Sequence, residues 1–110
     1  MAGTVDFKTV QWARKMTTLA QNFAGLAPAD LRKLGSFLDK LAGLRENEAE
    51  LTEPQLQVIM QNLHTRDLVK LEPTKGGVLV EFTGGGFEYE RFLLRADGKV
   101  PNHKYESKKA

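Results

Sequence analysis

Leu51-Thr-Glu-Pro-Gln-Leu-Gln-Val-Ile-Met-Gln-Asn-Leu-His-Thr-Arg-Asp-Leu-Val-Lys-Leu-Glu72 is the stretch on which the fold turns. Through Leu56, Ile59, Met60 and Leu63 the apolar residues recur at helical spacing; beyond Arg66 and Asp67 they alternate, and the helical period does not return. Thr52 followed by Gln55 is a capping box, so a helix is expected from Glu53 to about His64. Its inward face is expected to be Leu56, Ile59, Met60 and Leu63, and its outward face Gln57, Val58, Gln61, Asn62 and Thr65. Leu68 to Glu72 then reads as a strand and Pro73-Thr-Lys-Gly-Gly77 as a turn. Val78 to Thr83 reads as the returning strand, with Val78, Val80 and Phe82 on its core face.

Working towards the N-terminus, Pro28 suits a first helical position, and Leu31, Leu34, Phe37, Leu38 and Leu41 make a stripe that Gly43 ends. Gly35 lies within that helix, where it lets another helix approach closely. Arg45 to Leu51 is an acidic, solvated connection. Before it, Trp12, Met16, Leu19, Ala20 and Phe23 predict an amphipathic helix capped by Asp6, stapled by Val5 and Val10 and stopped at Gly25. Phe7 is expected to turn onto the core at the frayed first turn, the alternative being an exposed anchor for a partner. Towards the C-terminus, Gly84-Gly85-Gly86 is a turn and Phe87 to Leu94 a third strand.

These readings predict an α+β chain, three helices followed by a small antiparallel sheet, as one domain over residues 1–94. Residues 95–110 carry Pro101 and few apolar side chains and are expected to form a basic, flexible tail. The core is expected to include Trp12, Leu19, Leu34, Leu38, Leu41, Leu56, Ile59, Leu63 and Val80. At 110 residues, 41% hydrophobic and 27% charged, the chain has an ordinary globular composition. The net charge of +2 is uneven: +3 over residues 1–44, −3 over 45–67, −1 over 68–94 and +3 over 95–110. No apolar run is long enough for a membrane span and the first residues do not read as a signal peptide, so a soluble cytoplasmic protein is expected.

Three helices running into a hairpin resemble the winged-helix domain, a helix-turn-helix variant, over roughly residues 28–83. The resemblance places the third helix in a DNA major groove and the hairpin against the backbone or minor groove. The readers would then be Gln57, Val58, Gln61, Asn62 and Thr65, with Arg66, Lys70 and Lys75 near phosphates. Two features depart from that pattern. The connection from Gly43 to Leu51 is longer than a tight helix-turn-helix uses, and no Lys or Arg lies between Glu53 and Thr65. Phosphate neutralisation would therefore fall to Arg66, Lys75 and the tail.

The chemistry of a catalyst is sparse. With no cysteine, thiolate metal sites and a cysteine nucleophile are excluded, and His64 and His103 lie far outside any metal-type spacing. Ser36 and Ser107 lack the glycine-flanked elbow of a serine nucleophile, and Gly84-Gly85-Gly86 is followed by acids where a phosphate would sit. Glu88 and Glu90 could form a carboxylate pair, but on an edge strand such charges guard against aggregation. The expectation is a non-catalytic binding protein with no cofactor, no metal and no membrane partner, with a homodimer as an option. It would act as a nucleic-acid-binding or transcription regulator; the alternative is a protein-binding adaptor or inhibitor using the helix-three face or the sheet edge.

Overall fold

The computed structural model describes residues 6–110. It contains three helices, α1 (Phe7–Phe23), α2 (Pro28–Glu46) and α3 (Glu53–Leu63), then strands β1 (Asp67–Thr74), β2 (Gly77–Gly84), β3 (Phe87–Leu94) and β4 (Tyr105–Lys109). The strands form one antiparallel sheet in the order β1-β2-β3-β4. The chain divides into two compact units, one ending at Leu31 and the other Arg32–Ala110.

In the second unit one face of the sheet carries Leu68, Val78, Val80, Phe82, Phe92 and Leu94, which pack with Phe37 and Leu44 of α2 and Ile59 and Leu63 of α3. Of the expected core, Ile59, Leu63 and Val80 are buried and Leu34 and Leu41 pack partly against them. Leu38 is 46% exposed. Phe37 and Leu44, seven positions apart, take the sheet-facing line of α2, and Leu38, one position round the helix, is turned away. Leu56 is exposed because its neighbour Gln55 takes the inward position. There the Gln55 side chain donates from Nε2 to the Leu94 carbonyl (3.0 Å) and accepts the Thr52 N–H (2.9 Å). The expected capping box is thus also the tie between α3 and β3.

In the first unit, Asp6 caps α1 by accepting the Thr9 N–H at 2.8 Å, a bond that holds its carboxyl below the usual range. The Val5 half of the expected staple lies outside the described residues. No residue of α1 is buried: Trp12 is 63% exposed, Leu19 40% and Phe7 74%, contrary to the core positions expected for them.

Helix α2 does not stop at Gly43; it runs on to Glu46 and so buries Leu44 completely. Its terminus is a left-handed turn in which Ala49 N–H donates to the Leu44 carbonyl and Glu48 N–H to the Arg45 carbonyl, with Glu48 at φ 58°. Glycine is the residue that fits this position without a Cβ penalty. Replacing Glu48 by Gly is therefore expected to stabilise the fold by about 0.5–1 kcal/mol, read by urea denaturation; no gain would mean that the acidic side chain stabilises the turn in another way.

Residues 95–110, expected to be a mobile tail, contain a short 3-10 turn (Asn102–Lys104) and β4, which pairs with β3. All five residues of β4 are exposed, so burial does not order it. Its side chains complement those of β3: Lys108 meets Glu88 at 3.2 Å, and Glu106 accepts from Tyr89 at 2.9 Å and meets Arg91 at 3.5 Å. The contact with Glu106 holds the Tyr89 phenol above its ordinary value. β3 is accordingly an inner strand, and Glu88 and Glu90 go to separate partners instead of forming a pair.

Candidate functional site

Helix α3 presents Glu53, Pro54, Leu56, Gln57, Gln61, His64 and Thr65 at its surface, counting the two residues that follow its last turn. Of the eight residues singled out from the sequence, three share this exposed face: Gln57, Gln61 and Thr65. Val58 is half-buried and packs against the core. Asn62 is also half-buried, and its amide is already committed: Nδ2 donates to the Val58 carbonyl at 2.9 Å and Oδ1 accepts from Arg66 at 3.4 Å.

Arg66 is withdrawn from the surface. Its side chain is 11% exposed and ion-paired with Glu90, itself 12% exposed, while the guanidinium lies 5.0 Å from the Phe87 ring centre and 5.9 Å from that of Phe82. The aromatic faces and the carboxylate together take up the cation. Tyr105 of β4 donates its hydroxyl to the other oxygen of Glu90. Burial pushes the Glu90 carboxyl up, but the hydrogen bonds from Arg66 and Tyr105 and the charge of Arg66 outweigh it, so its pKa lies below the ordinary value. Gly85 passes close over Arg66: a Cβ there would lie 3.1 Å from Arg66 Nε.

The lysines are placed elsewhere. Lys33 of α2 reaches the end of α3, where Nζ donates to the carbonyls of Leu63 (2.8 Å) and His64 (3.2 Å), neutralising orphan acceptors at the negative end of the helix. Lys70 pairs in register with Glu81, on the sheet face turned away from the core, and its Nζ meets Glu72 at 2.9 Å. That outer face continues with Arg91, whose Nε donates to Glu81 at 2.8 Å; the bond to Glu81 raises the already high pKa of the guanidinium. Lys75 stands exposed in the β1–β2 turn, where it lines a small depression of about 160 Å³ with Thr74, Leu79, Leu93 and Lys104. Arg66 and Lys75 flank β1 at its two ends, about 30 Å apart at the usual rise per strand residue. The structure therefore brings together three of the five uncharged members of the expected set, Gln57, Gln61 and Thr65, and disperses the charged ones.

Sequence reasoning missed Glu90 and Tyr105 as the partners that hold Arg66. The signal was faint but present: two acids at alternate positions of β3 face a segment rich in lysine with a tyrosine in it, a pairing that only a fourth strand satisfies. Among the described residues no group of three or more His, Cys, Asp or Glu side chains could hold a metal ion, and no helix is long and apolar enough to cross a membrane. Compared with known proteins, the chain matches no family model, no curated protein and no solved structure.

Proposed function

We propose that this chain is a non-catalytic protein-binding module, an adaptor or inhibitor acting in the cytoplasm, whose partner docks on the exposed face of α3. The observation that carries this reading is the fate of Arg66. Arg66, the cation at the end of α3, is enclosed by Glu90, Phe82 and Phe87, and Lys33 is engaged by the Leu63 and His64 carbonyls, which leaves Leu56, Gln57, Gln61 and Thr65 as a partly apolar face without a cation and with the acidic Glu53 at its N-terminal end. Amide and aliphatic groups of this kind suit the centre of a protein interface, where charged residues are depleted. A helix entering a DNA groove without a cation forgoes the counterion release that supplies most non-specific affinity. The resemblance to winged-helix domains supports a binding role and leaves the partner open, since that fold serves both uses.

The nucleic-acid reading keeps one observation in its favour, the exposed Lys75 beside Lys104. Anisotropy of a labelled DNA duplex at about 50 mM and about 200 mM salt separates the two readings. The expected result is no binding at either concentration. Binding at low salt that weakens steeply at high salt and with Lys75→Ala would establish the nucleic-acid reading instead. As the positive arm, a photo-crosslinker at Gln57 should capture a protein partner from nuclease-treated lysate, and Gln61→Glu should abolish the capture by placing an unpaired charge in the contact.

A further inference from the structure

Helix α1 has a surface that the binding face of α3 does not account for. Trp12, Met16, Leu19 and Phe23 follow one another at spacings of four, three and four residues, and Leu26 continues the series just beyond the helix. This is the seam that one helix offers to another in a coiled coil. The seam is open: Trp12 and Leu19 are exposed, Met16 and Phe23 only half-buried, and no residue of the helix is buried. A helix of this length, about 25 Å, is marginal in water by itself and draws its stability from covering such a face.

The charges of α1 indicate what covers it. Lys8, Arg14 and Lys15 all lie in its N-terminal half; from Met16 to Ala27 the chain carries no charge at all. Lys8 lies in the first turn beside the capping Asp6, at the end of the helix dipole that disfavours a cation, and no base lies in the last turn, so the end that favours one is left bare. A second copy running antiparallel corrects both ends at once. It sets the basic half of each helix against the uncharged half of the other and brings Lys8 towards the partner's negative C-terminus. A parallel copy would stack like charges instead.

We propose that α1 is a self-association surface on which two copies of this chain pair antiparallel about a two-fold axis. Trp12 then packs on Phe23 of the partner subunit and Met16 on Leu19 of the partner subunit, with each contact repeated by symmetry. Ala13 and Ala20 flank the seam and, in this alignment, face each other across the pair, where their small side chains permit close approach. The apolar surface open on Trp12, Leu19 and Leu26 amounts to roughly 300 Å² per copy, well below the ~800 Å² per partner of a standard interface, which implies a dimer of micromolar or weaker affinity.

Trp12 is the chain's only tryptophan, so its emission reports on this surface alone. Sedimentation equilibrium of the full chain from about 1 to 500 μM should show a monomer–dimer equilibrium, with Trp12 emission moving to the blue as dimer forms. Leu19→Glu places a charge in two symmetry-related layers and should weaken the dimer by about 100-fold or more, while Leu19→Met keeps it. The far-UV circular dichroism of both variants at the lowest concentration should match that of the parent. Mixing Ala13→Cys and Ala20→Cys chains under oxidation should give a mixed cross-linked dimer in excess of either self-dimer. A monomer throughout the concentration range overturns the proposal, whether Trp12 emission is red or blue. So does a dimer that survives Leu19→Glu, or one in which the mixed Ala13→Cys and Ala20→Cys chains form no cross-link in excess of the self-dimers.

Discussion

Ile59→Ala is expected to lower the unfolding free energy by about 2–5 kcal/mol, and Leu38→Ala by less than about 1 kcal/mol, both read from urea or thermal denaturation of the purified chain. Ile59 is fully enclosed between α3 and the sheet face formed by Val80, Phe82 and Leu94. Its removal leaves a cavity that helix and strands close only in part, so the lost transfer energy and the lost contacts add. Leu38 has the same hydrophobicity and lies on a helix of the same core, but nearly half of its surface already meets water. Equal losses at the two positions would mean that α2 is rotated about its axis relative to the arrangement described. In a dimer that recruits Leu38 the loss would depend on protein concentration, which a dilution series detects.

Arg66→Ala is expected to be as damaging, by about 2–4 kcal/mol at neutral pH, because it leaves the Glu90 carboxylate in a largely dry site with only the Tyr105 hydroxyl to hold it. Arg66→Ala combined with Glu90→Gln should be less destabilised than Arg66→Ala alone, since the second change removes the orphaned charge. The pH dependence follows from the direction of the Glu90 shift. In the parent chain its pKa is depressed in the folded state, so its contribution to stability is present above the ordinary glutamate value of about 4.3 and is lost as pH falls through the lower folded value. Without the guanidinium, burial raises the pKa, so lowering the pH relieves the variant while it costs the parent. The gap between parent and Arg66→Ala should therefore close between about pH 5 and pH 3. A gap of constant size across that range would show that Arg66 acts through packing on Phe82 and Phe87 rather than through Glu90.

What the sequence made legible is what depends on neighbours along the chain. The capping box of Thr52 and Gln55, the cap at Asp6 and the change of period at Arg66 involve residues a few positions apart, and all are in place. What it left hidden depends on which of two apolar lines a helix turns inward. α2 carries leucines on both sides of Phe37, and only the sheet, through Val80 and Phe82, selects the line of Phe37 and Leu44 over that of Leu31 and Leu38. The same holds for Arg66, which reads as a free cation until β2 and β3 are registered and Glu90 arrives beside it across 24 residues of sequence. β4 has no apolar alternation to reveal it; it is a strand because β3 offers unpaired backbone groups and opposite charges.

The strand order β1-β2-β3-β4 has a kinetic consequence. Every strand bonds to the one made just before it, so no strand must wait for a distant partner while the chain is synthesised, and loop-closure entropy stays small at each addition. Phe37 and Leu44 leave the ribosome before any strand exists to cover them, whereas each later strand meets a template already formed. The vulnerable interval in biogenesis is thus the one between α2 and β2, before Val80 and Phe82 arrive, and a pause in translation there would expose more apolar surface to chaperones or aggregation than a pause anywhere beyond it.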